Sequence, residues 1–321
     1  MGGDNAPQII VDGAAQSKIR YPDVKFSFFG NKNKLLPLVS SLKTLKDSQI
    51  IHTDEIIGAN QKPSIAVRKG KNSSMGLAIQ SVKTGQTDAI VSAGNTGALM
   101  AMTKLFLRPI EGITRPAIAA YFPTIRGESC MLDLGANIEC DAKNLVQFAF
   151  MGQAFANIVM GVNNPTISLL NIGEEEQKGL DYIKEASQIL TKLKDQINYT
   201  GFIEGDKIAQ GISDVIIADG FSGNVSLKTA EGTASFITSE LKKAMKSSLL
   251  GKIAGLISYS NLSQFKKRLD PRLYNGAIFI GLDSPVVKSH GGTDFIGFSN
   301  SLDVCNKIVK GNLIEKIKHN I

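Results

Sequence analysis

Residues 88–99 read Asp88-Ala-Ile-Val-Ser92-Ala-Gly94-Asn95-Thr96-Gly97-Ala98-Leu99. A short β-branched run ends in a small residue, a glycine corner follows, and apolar residues then recur at helical spacing. The pattern predicts a strand over 88–92 turning directly into a helix over 95–106. Four other corners share this form: Asp133-Leu-Gly-Ala-Asn137, Asn171-Ile-Gly-Glu-Glu-Glu-Gln-Lys178, Asp219-Gly-Phe-Ser-Gly-Asn224 and Ser289-His-Gly-Gly-Thr293. Around them, periodicity predicts strands over 24–30, 49–52, 117–122, 130–134, 166–171, 199–204, 214–218, 277–282 and 286–289. It predicts helices over 73–84, 141–161, 177–194, 222–246 and 295–318. Strand–helix alternation of this kind specifies an α/β fold with a mostly parallel sheet covered on both faces.

The 321 residues are 43% hydrophobic and 20% charged, enough apolar material for one large core. They read as a single α/β domain over 1–321 with a helical insertion at about 240–275. Cys130, Cys140 and Cys305 form no CxxC pair and His52, His290 and His319 are scattered, so no disulfide framework or zinc site is expected. Neither a secretory signal nor a spanning run of about 18 apolar residues is present, and a reducing cytoplasm is the expected compartment. The nearest apolar run, 149–162, is interrupted by Gly152, Gln153, Asn157 and Gly161 and reads as a buried helix.

Net charge is +7. Within 240–275, Lys242, Lys243, Lys246, Lys252, Lys266, Lys267, Arg268 and Arg272 stand against only Glu240 and Asp270. That local field attracts an acidic partner. A pI near 9.1 raises nucleic acid as one such partner. With no tryptophan, no aromatics interleaved with the basic run and no recognition motif, that class is set aside. Leu249, Leu250, Ile253, Leu256 and Ile257 fall on one helical stripe beside Lys246 and Lys252, and Leu262, Phe265 and Leu269 continue it beside Lys266, Lys267 and Arg268. The stripe suits a core or dimer-facing surface, or an anionic membrane.

Glycine at the end of a strand lets backbone N–H groups approach a ligand, and a helix N-terminus adds partial positive charge. Five such corners converging would grip one small oxyanion. No GxxxxGK[ST] loop or GxGxxG fingerprint exists, which disfavours nucleotide chemistry. Ser222 sits where a nucleophile elbow would place it, with Asp283 and His290 downstream, but Asn224 replaces the second elbow glycine. A decarboxylating dehydrogenase would need a metal-binding carboxylate cluster, and Asp133, Glu204, Asp219 and Asp294 lack persuasive spacing for one.

In these segments the sequence closely resembles the bacterial PlsX phosphate acyltransferase family. The likeness runs through Met1-Gly-Gly-Asp4, Ser92-Ala-Gly-Asn-Thr-Gly-Ala-Leu99, Leu132-Asp-Leu-Gly-Ala-Asn137, Leu170-Asn-Ile-Gly-Glu-Glu-Glu176 with Lys178-Gly, Asp219-Gly-Phe-Ser-Gly-Asn-Val225 and Lys288-Ser-His-Gly291. It covers essentially the whole chain in order. The resemblance implies a doubly wound, Rossmann-like α/β/α sandwich and a homodimer. It implies a cytoplasmic enzyme, peripherally bound to membrane, that converts fatty acyl-(acyl carrier protein) and inorganic phosphate to acyl phosphate without a cofactor. A glycerol-3-phosphate acyltransferase would consume the product at the start of phospholipid synthesis. A phosphotransacetylase-like enzyme using acyl-CoA is the alternative. Family members usually carry a short apolar strand before Met-Gly-Gly-Asp, so the resemblance also implies a central strand absent from this sequence, through a misplaced start or a truncated record.

Phosphate attack on a thioester needs no protein nucleophile; positioning and oxyanion stabilisation suffice, one oxyanion donor being worth ~3–4 kcal/mol. The expected phosphate cradle is Gly94, Asn95, Thr96 and Gly97 with Gly135–Asn137, and Asn224 is the expected oxyanion donor. Asp219, Ser222 and Gly223 complete the substrate contacts. Lys178, expected just inside a helix start, would neutralise phosphate or protonate the departing sulfur, unless it is solvated or paired with a neighbouring Glu. His290 would orient phosphate or act as acid, or be a satisfied structural residue.

Overall fold

The computed structural model describes residues 1–268 and 270–320. Among these described residues ten strands are formed: β1 Ser27–Gly30, β2 Gln49–His52, β3 Ile90–Ser92, β4 Ala117–Thr124, β5 Gly127–Leu132, β6 Ile167–Leu170, β7 Tyr199–Ile203, β8 Val215–Ile217, β9 Ala277–Ile280 and β10 Val286–Lys288. The helices are α1 Gln8–Arg20, α2 Lys32–Ser41, α3 Pro63–Lys69, α4 Ser74–Lys83, α5 Thr96–Phe106, α6 Ala142–Phe155, α7 Asp181–Lys192, α8 Gly220–Lys246, α9 Leu249–Ile257, α10 Tyr259–Arg268, α11 Phe295–Lys310 and α12 Leu313–Asn320.

Eight strands form one mixed sheet in the order β3-β10-β9-β4-β5-β8-β6-β7, and β1 and β2 pair separately in parallel. Parallel pairs outnumber antiparallel ones, as the alternation predicts. The antiparallel pairs β10–β9, β9–β4 and β4–β5 nevertheless decide the topology. After them, β5, β8, β6 and β7 run opposite to β3 and β10.

Alternate strand residues separate the core into two faces. Ala117, Ala119, Leu132, Val215, Ile217 and Val287 meet α6, α7, α11 and α12 on one face. Phe279 and Val286 meet α4 and α5, and Ala120, Phe122, Met131 and Ile216 meet α8, on the other. Helix α6 shows why these elements form. Asp141 caps it in a reciprocal box with Asn144, and Leu145, Phe148, Ala149 and Phe155 are buried against the sheet. Gly152 permits the closest approach, because a Cβ there would lie 2.5 Å from Val215 Cγ1.

Several boundaries differ from the sequence expectation. The 295–318 helix breaks where Gly311 caps α11 and Asn312 adopts φ +55 before α12. The 141–161 helix ends in one π-turn, Ala156–Met160, stopped by Gly161 at φ +73. The 177–194 helix begins only at Asp181, since Gly179 takes φ +90. Helices α1, α2 and α3 were not anticipated; α1 and α2 close a satellite core around Val11, Leu35 and Leu45. Met1 lies between the two sheets, its amino group donating to the Phe29 carbonyl at 2.9 Å and its carbonyl accepting from Ser74 Oγ at 2.9 Å.

Phe148 is fully buried between α6 and the sheet. Phe148→Ala is expected to cost about 3–5 kcal/mol in denaturant unfolding. Truncating the exposed Ile125 to Ala should cost less than about 0.5 kcal/mol. Equal losses at the two positions would contradict this assignment of the core.

Candidate functional site

The glycine corners fall into two groups. Because strand direction reverses within the sheet, the corners after β3 and β10 leave it at one edge, and those after β5, β6 and β8 leave it at the opposite edge. β3 and β5 are also four strand positions apart, about 19 Å at ordinary strand spacing.

At the first edge three segments meet. Gly2 packs on Gly94, Gly3 on Ala93 and the Gly291 carbonyl, and the Asp4 N–H donates to that carbonyl at 3.0 Å. The Ser289 N–H donates to the Ser92 carbonyl at 2.9 Å, and Gly94 N–H to Ser92 Oγ at 3.2 Å. Thr96 and Gly97 open α5 with exposed backbone, so N–H groups at a positive helix end face solvent. The Asn95 side chain, in contrast, is occupied. Its Oδ1 caps Ala98 N–H at 2.9 Å and its Nδ2 donates to the carbonyls of Gly58, Ala59 and Gln61. It therefore holds the 58–61 loop against the helix start. His290 is exposed, and its Nδ1 accepts from Gly292 N–H at 3.2 Å.

The second edge is organised by Asp133, fully buried at the end of β5. Its carboxylate accepts from the N–H groups of Ile118 (2.8 Å), Ala136 (3.1 Å) and Asn137 (2.7 Å) and from Asn137 Nδ2 (2.9 Å). Burial raises its pKa against those hydrogen bonds. Asn137 also donates to the Pro116 carbonyl at 2.8 Å, so its side chain is spent on the turn. Asp219 caps α8, accepting from Ser222 N–H and Ser222 Oγ, each at 2.8 Å, and from the Tyr182 hydroxyl at 3.0 Å. Burial first, then the Asp219 carboxylate, pushes the Tyr182 hydroxyl pKa up. Gly223 lies against the Asp133 carbonyl, where a Cβ could not fit.

Asn224 is exposed in the first turn of α8 beside Gly135, whose Cβ position is 3.5 Å from Asn224 Cγ. Among the described residues its amide has no protein partner. Lys178 is exposed in the loop before α7 rather than inside the helix, with its stem against Gly173. Asn171 fixes that loop by donating to the carbonyls of Gly173 and Lys178, each at 3.1 Å. Ile138, Ile172, Leu180, Phe221 and Val225 stand exposed in the same segments, an apolar rim around the polar groups.

The serine-nucleophile arrangement is not formed. Ser222 is bonded to Asp219, Asp283 pairs with Lys318 at 2.9 Å, and His290 lies at the other edge. Two residues that stand in the quoted family motifs but were given no site role belong to the first edge, Lys288 and Asp4. Lys288 ends the apolar run Val286-Val287 at a position the strand buries.

The family model described as "Fatty acid synthesis protein" matches residues 1–316. The chain is 52% identical to the phosphate acyltransferase of Pelagibacter ubique over 322 residues, covering 100% of this chain and 96% of that protein. It is 50% identical to that of Rhodospirillum rubrum, covering 100% and 92%. Among solved structures, a phosphotransacetylase from Streptococcus pyogenes superposes with a TM-score of 0.61 at 18% identity, covering 97% of this chain and 92% of that one. The EutD phosphotransacetylase from Staphylococcus aureus gives 0.55 at 15% identity, covering 95% and 100%. At such identities the structural likeness speaks for the fold alone.

Lys178→Ala, Asn224→Ala and His290→Ala are each expected to slow phosphate-dependent acyl transfer at least tenfold, about 1.4 kcal/mol in the barrier. Unchanged turnover in a folded variant removes that residue from the site. Asn95→Ala should act on the fold as a lost cap, costing about 1–2 kcal/mol in thermal unfolding; an unaltered melt would contradict its anchoring role.

Proposed function

Since the chain belongs to the fatty acid synthesis protein family of phosphate acyltransferases, we propose that it transfers a fatty acyl group from acyl carrier protein to inorganic phosphate, yielding acyl phosphate for glycerol-3-phosphate acylation. A phosphate oxygen attacks the thioester carbonyl, the C–O bond forms, the C–S bond breaks and the carrier thiol is released. Hydrogen phosphate is nucleophilic at neutral pH and thiolate leaves readily, so the protein's part is to position the ion and stabilise the oxyanion.

Phosphate is assigned to the first edge. The carrying observation is the exposed N-terminus of α5, with free Thr96 and Gly97 N–H groups, set beside the Gly291–Gly292 turn and His290. Choice of carrier protein over coenzyme A rests on the family resemblance, and the surface charge is compatible with it. Lys242, Lys243 and Lys246 line a shallow groove on the last turns of α8, a complement to an acidic protein.

Asn224 and Lys178 act on the same substrate only if a second copy presents them. We assign the homodimer that role: the α8 edge of one chain meets the α5 edge of its partner, burying the rim of Ile138, Ile172, Leu180, Phe221 and Val225.

Helix α9 gives the membrane reading its support. Leu249, Leu250, Leu256 and Ile257 are 76–81% exposed, so these four find little cover among the described residues, and Ile253 is half exposed. Lys246 and Lys252 flank the stripe, and among the described residues no helix is long and apolar enough to span a bilayer. The hairpin α9–α10 therefore rests on an anionic lipid surface. Leu269 and the side chain of Lys267, expected to extend it, lie outside the described residues.

With labelled phosphate, palmitoyl-carrier protein should yield acyl phosphate at least tenfold more efficiently in kcat/KM than palmitoyl-CoA; the reverse preference refutes the carrier-protein donor. Mixing refolded Asn224→Ala and His290→Ala chains should regain about a quarter of wild-type activity, because half the subunits enter mixed dimers and each mixed dimer carries one intact composite site. No regain places the whole site in one chain. Leu256→Glu with Ile257→Glu should abolish sedimentation with anionic liposomes while leaving activity on soluble carrier-protein substrate intact; persistent binding defeats the membrane role.

A further inference from the structure

Lys288 closes β10, in register with Ser92 of β3 and Ala277 of β9. By strand alternation it shares a face with Val286, the face packed by α4 and α5. Its position is therefore at the end of β10 beside the close of β3, the edge where α5 begins. The residue is only 8% exposed, yet its ammonium bonds a single backbone carbonyl, that of Ser289. No carboxylate lies within ion-pair distance among the described residues. Asp4 is the acid whose field reaches it, and that carboxylate sits over Gly292, whose Cβ position is 3.3 Å from Asp4 Oδ2.

Burying an ammonium without an ion partner costs several kcal/mol. Desolvation draws the Lys288 pKa down to about 8, against the raising field of Asp4. An arrangement this costly is typical of a site that awaits an anion. Near the end of β10 lie the Gly2–Gly3 strap and the Gly291–Gly292 turn, packed on Ala93 and Gly94, and beyond them the α5 N-terminus, where the Thr96 and Gly97 N–H groups have no protein partner among the described residues. Backbone N–H groups and one cation on a rigid strand form a set of donors fitted to a tetrahedral dianion.

We propose that Lys288 is the cation that receives the phosphate substrate, pairing with it at the floor of the cleft between the Gly2–Asp4 strap, the α5 N-terminus and the Ser289–Thr293 turn. The assignment rests on phosphate occupying the first edge, and it deepens that reading by naming the charge that holds it. Asp4 then has a distinct role. Its carboxylate competes with phosphate for the same ammonium, keeping the site from closing on weaker anions.

The test uses Lys288→Met, Lys288→Arg and Asp4→Asn in the full chain, with steady-state kinetics and with melting in inorganic phosphate alone. Lys288→Met should raise the phosphate KM at least tenfold while the acyl-donor KM stays within twofold. It should also lose the rise in Tm that phosphate gives the wild type. Lys288→Arg should recover most of the phosphate affinity. A folded Lys288→Met with normal phosphate KM and normal phosphate stabilisation overturns the proposal. If Lys288→Met does not fold, Asp4→Asn decides: its phosphate KM should fall about threefold, and an unchanged or raised value overturns the assignment. Phosphate stabilisation is read without an acyl donor. A wild type that phosphate protects but that forms no acyl phosphate thus counts against the transfer reaction and not against Lys288.

Discussion

The antiparallel pairing of β4 with β5 is the constraint on which the rest depends. Ala119 through Thr124 pair with Leu132 back to Gly127, and this tight reversal turns the remaining strands β8, β6 and β7 to run against β3 and β10. In a uniformly parallel sheet every strand would deliver its carboxyl-end loop to one crevice. Here the crevice is divided. The α5 corner and the Ser289–Thr293 turn belong to one edge, and the Asp133, Asn171 and Asp219 corners to the other. One fold thereby carries two polar, glycine-rich ends.

The two ends also differ chemically. At the α8 edge the buried polar groups are spent on each other: Asp133 takes four N–H donors, Asn137 bridges to Pro116, and Asp219 holds Ser222 and Tyr182. That network makes a rigid platform and, among the described residues, leaves Asn224, Lys178 and the buried Asn171 Oδ1 with spare hydrogen-bonding capacity. At the α5 edge the balance is reversed. Asn95 is saturated, but the N–H groups of Thr96 and Gly97 and two of the three ammonium donors of Lys288 remain to be satisfied. Charge and unfilled donors thus collect where an oxyanion would be held, and apolar surface collects around the other end. A division of labour between holding phosphate and handling the acyl thioester follows from that contrast.

Periodicity made the elements legible. The strands at 49–52 and 199–204, the helices at 73–84 and 95–106 and the long helix into the basic hairpin lie within a few residues of their expected places, the helices opening on side-chain caps at Ser73, Asn95 and Asp219. Strand direction was harder to read, although a signal existed. Only residues 123–129 separate the expected strands 117–122 and 130–134, too few for the crossover of about a dozen residues that a parallel pair needs. The same holds for the short link between β9 and β10. Lys178 was misplaced because its acidic neighbours mimic a helix start, whereas Gly179 at φ +90 interrupts it. Lys288 stands in a quoted motif yet drew no site role from it, because its distinguishing property is burial without a counter-ion, which belongs to tertiary packing and not to residue spacing.

The central claim is that inorganic phosphate binds at the α5 edge between helix start, strap and turn. A crystal structure of the protein soaked in phosphate at a concentration near its KM tests this most directly. The account predicts a tetrahedral anion within hydrogen-bond reach of Lys288 Nζ and the Thr96 or Gly97 N–H. An anion seated instead on Asn224 and Gly135, with the α5 edge empty, would contradict it.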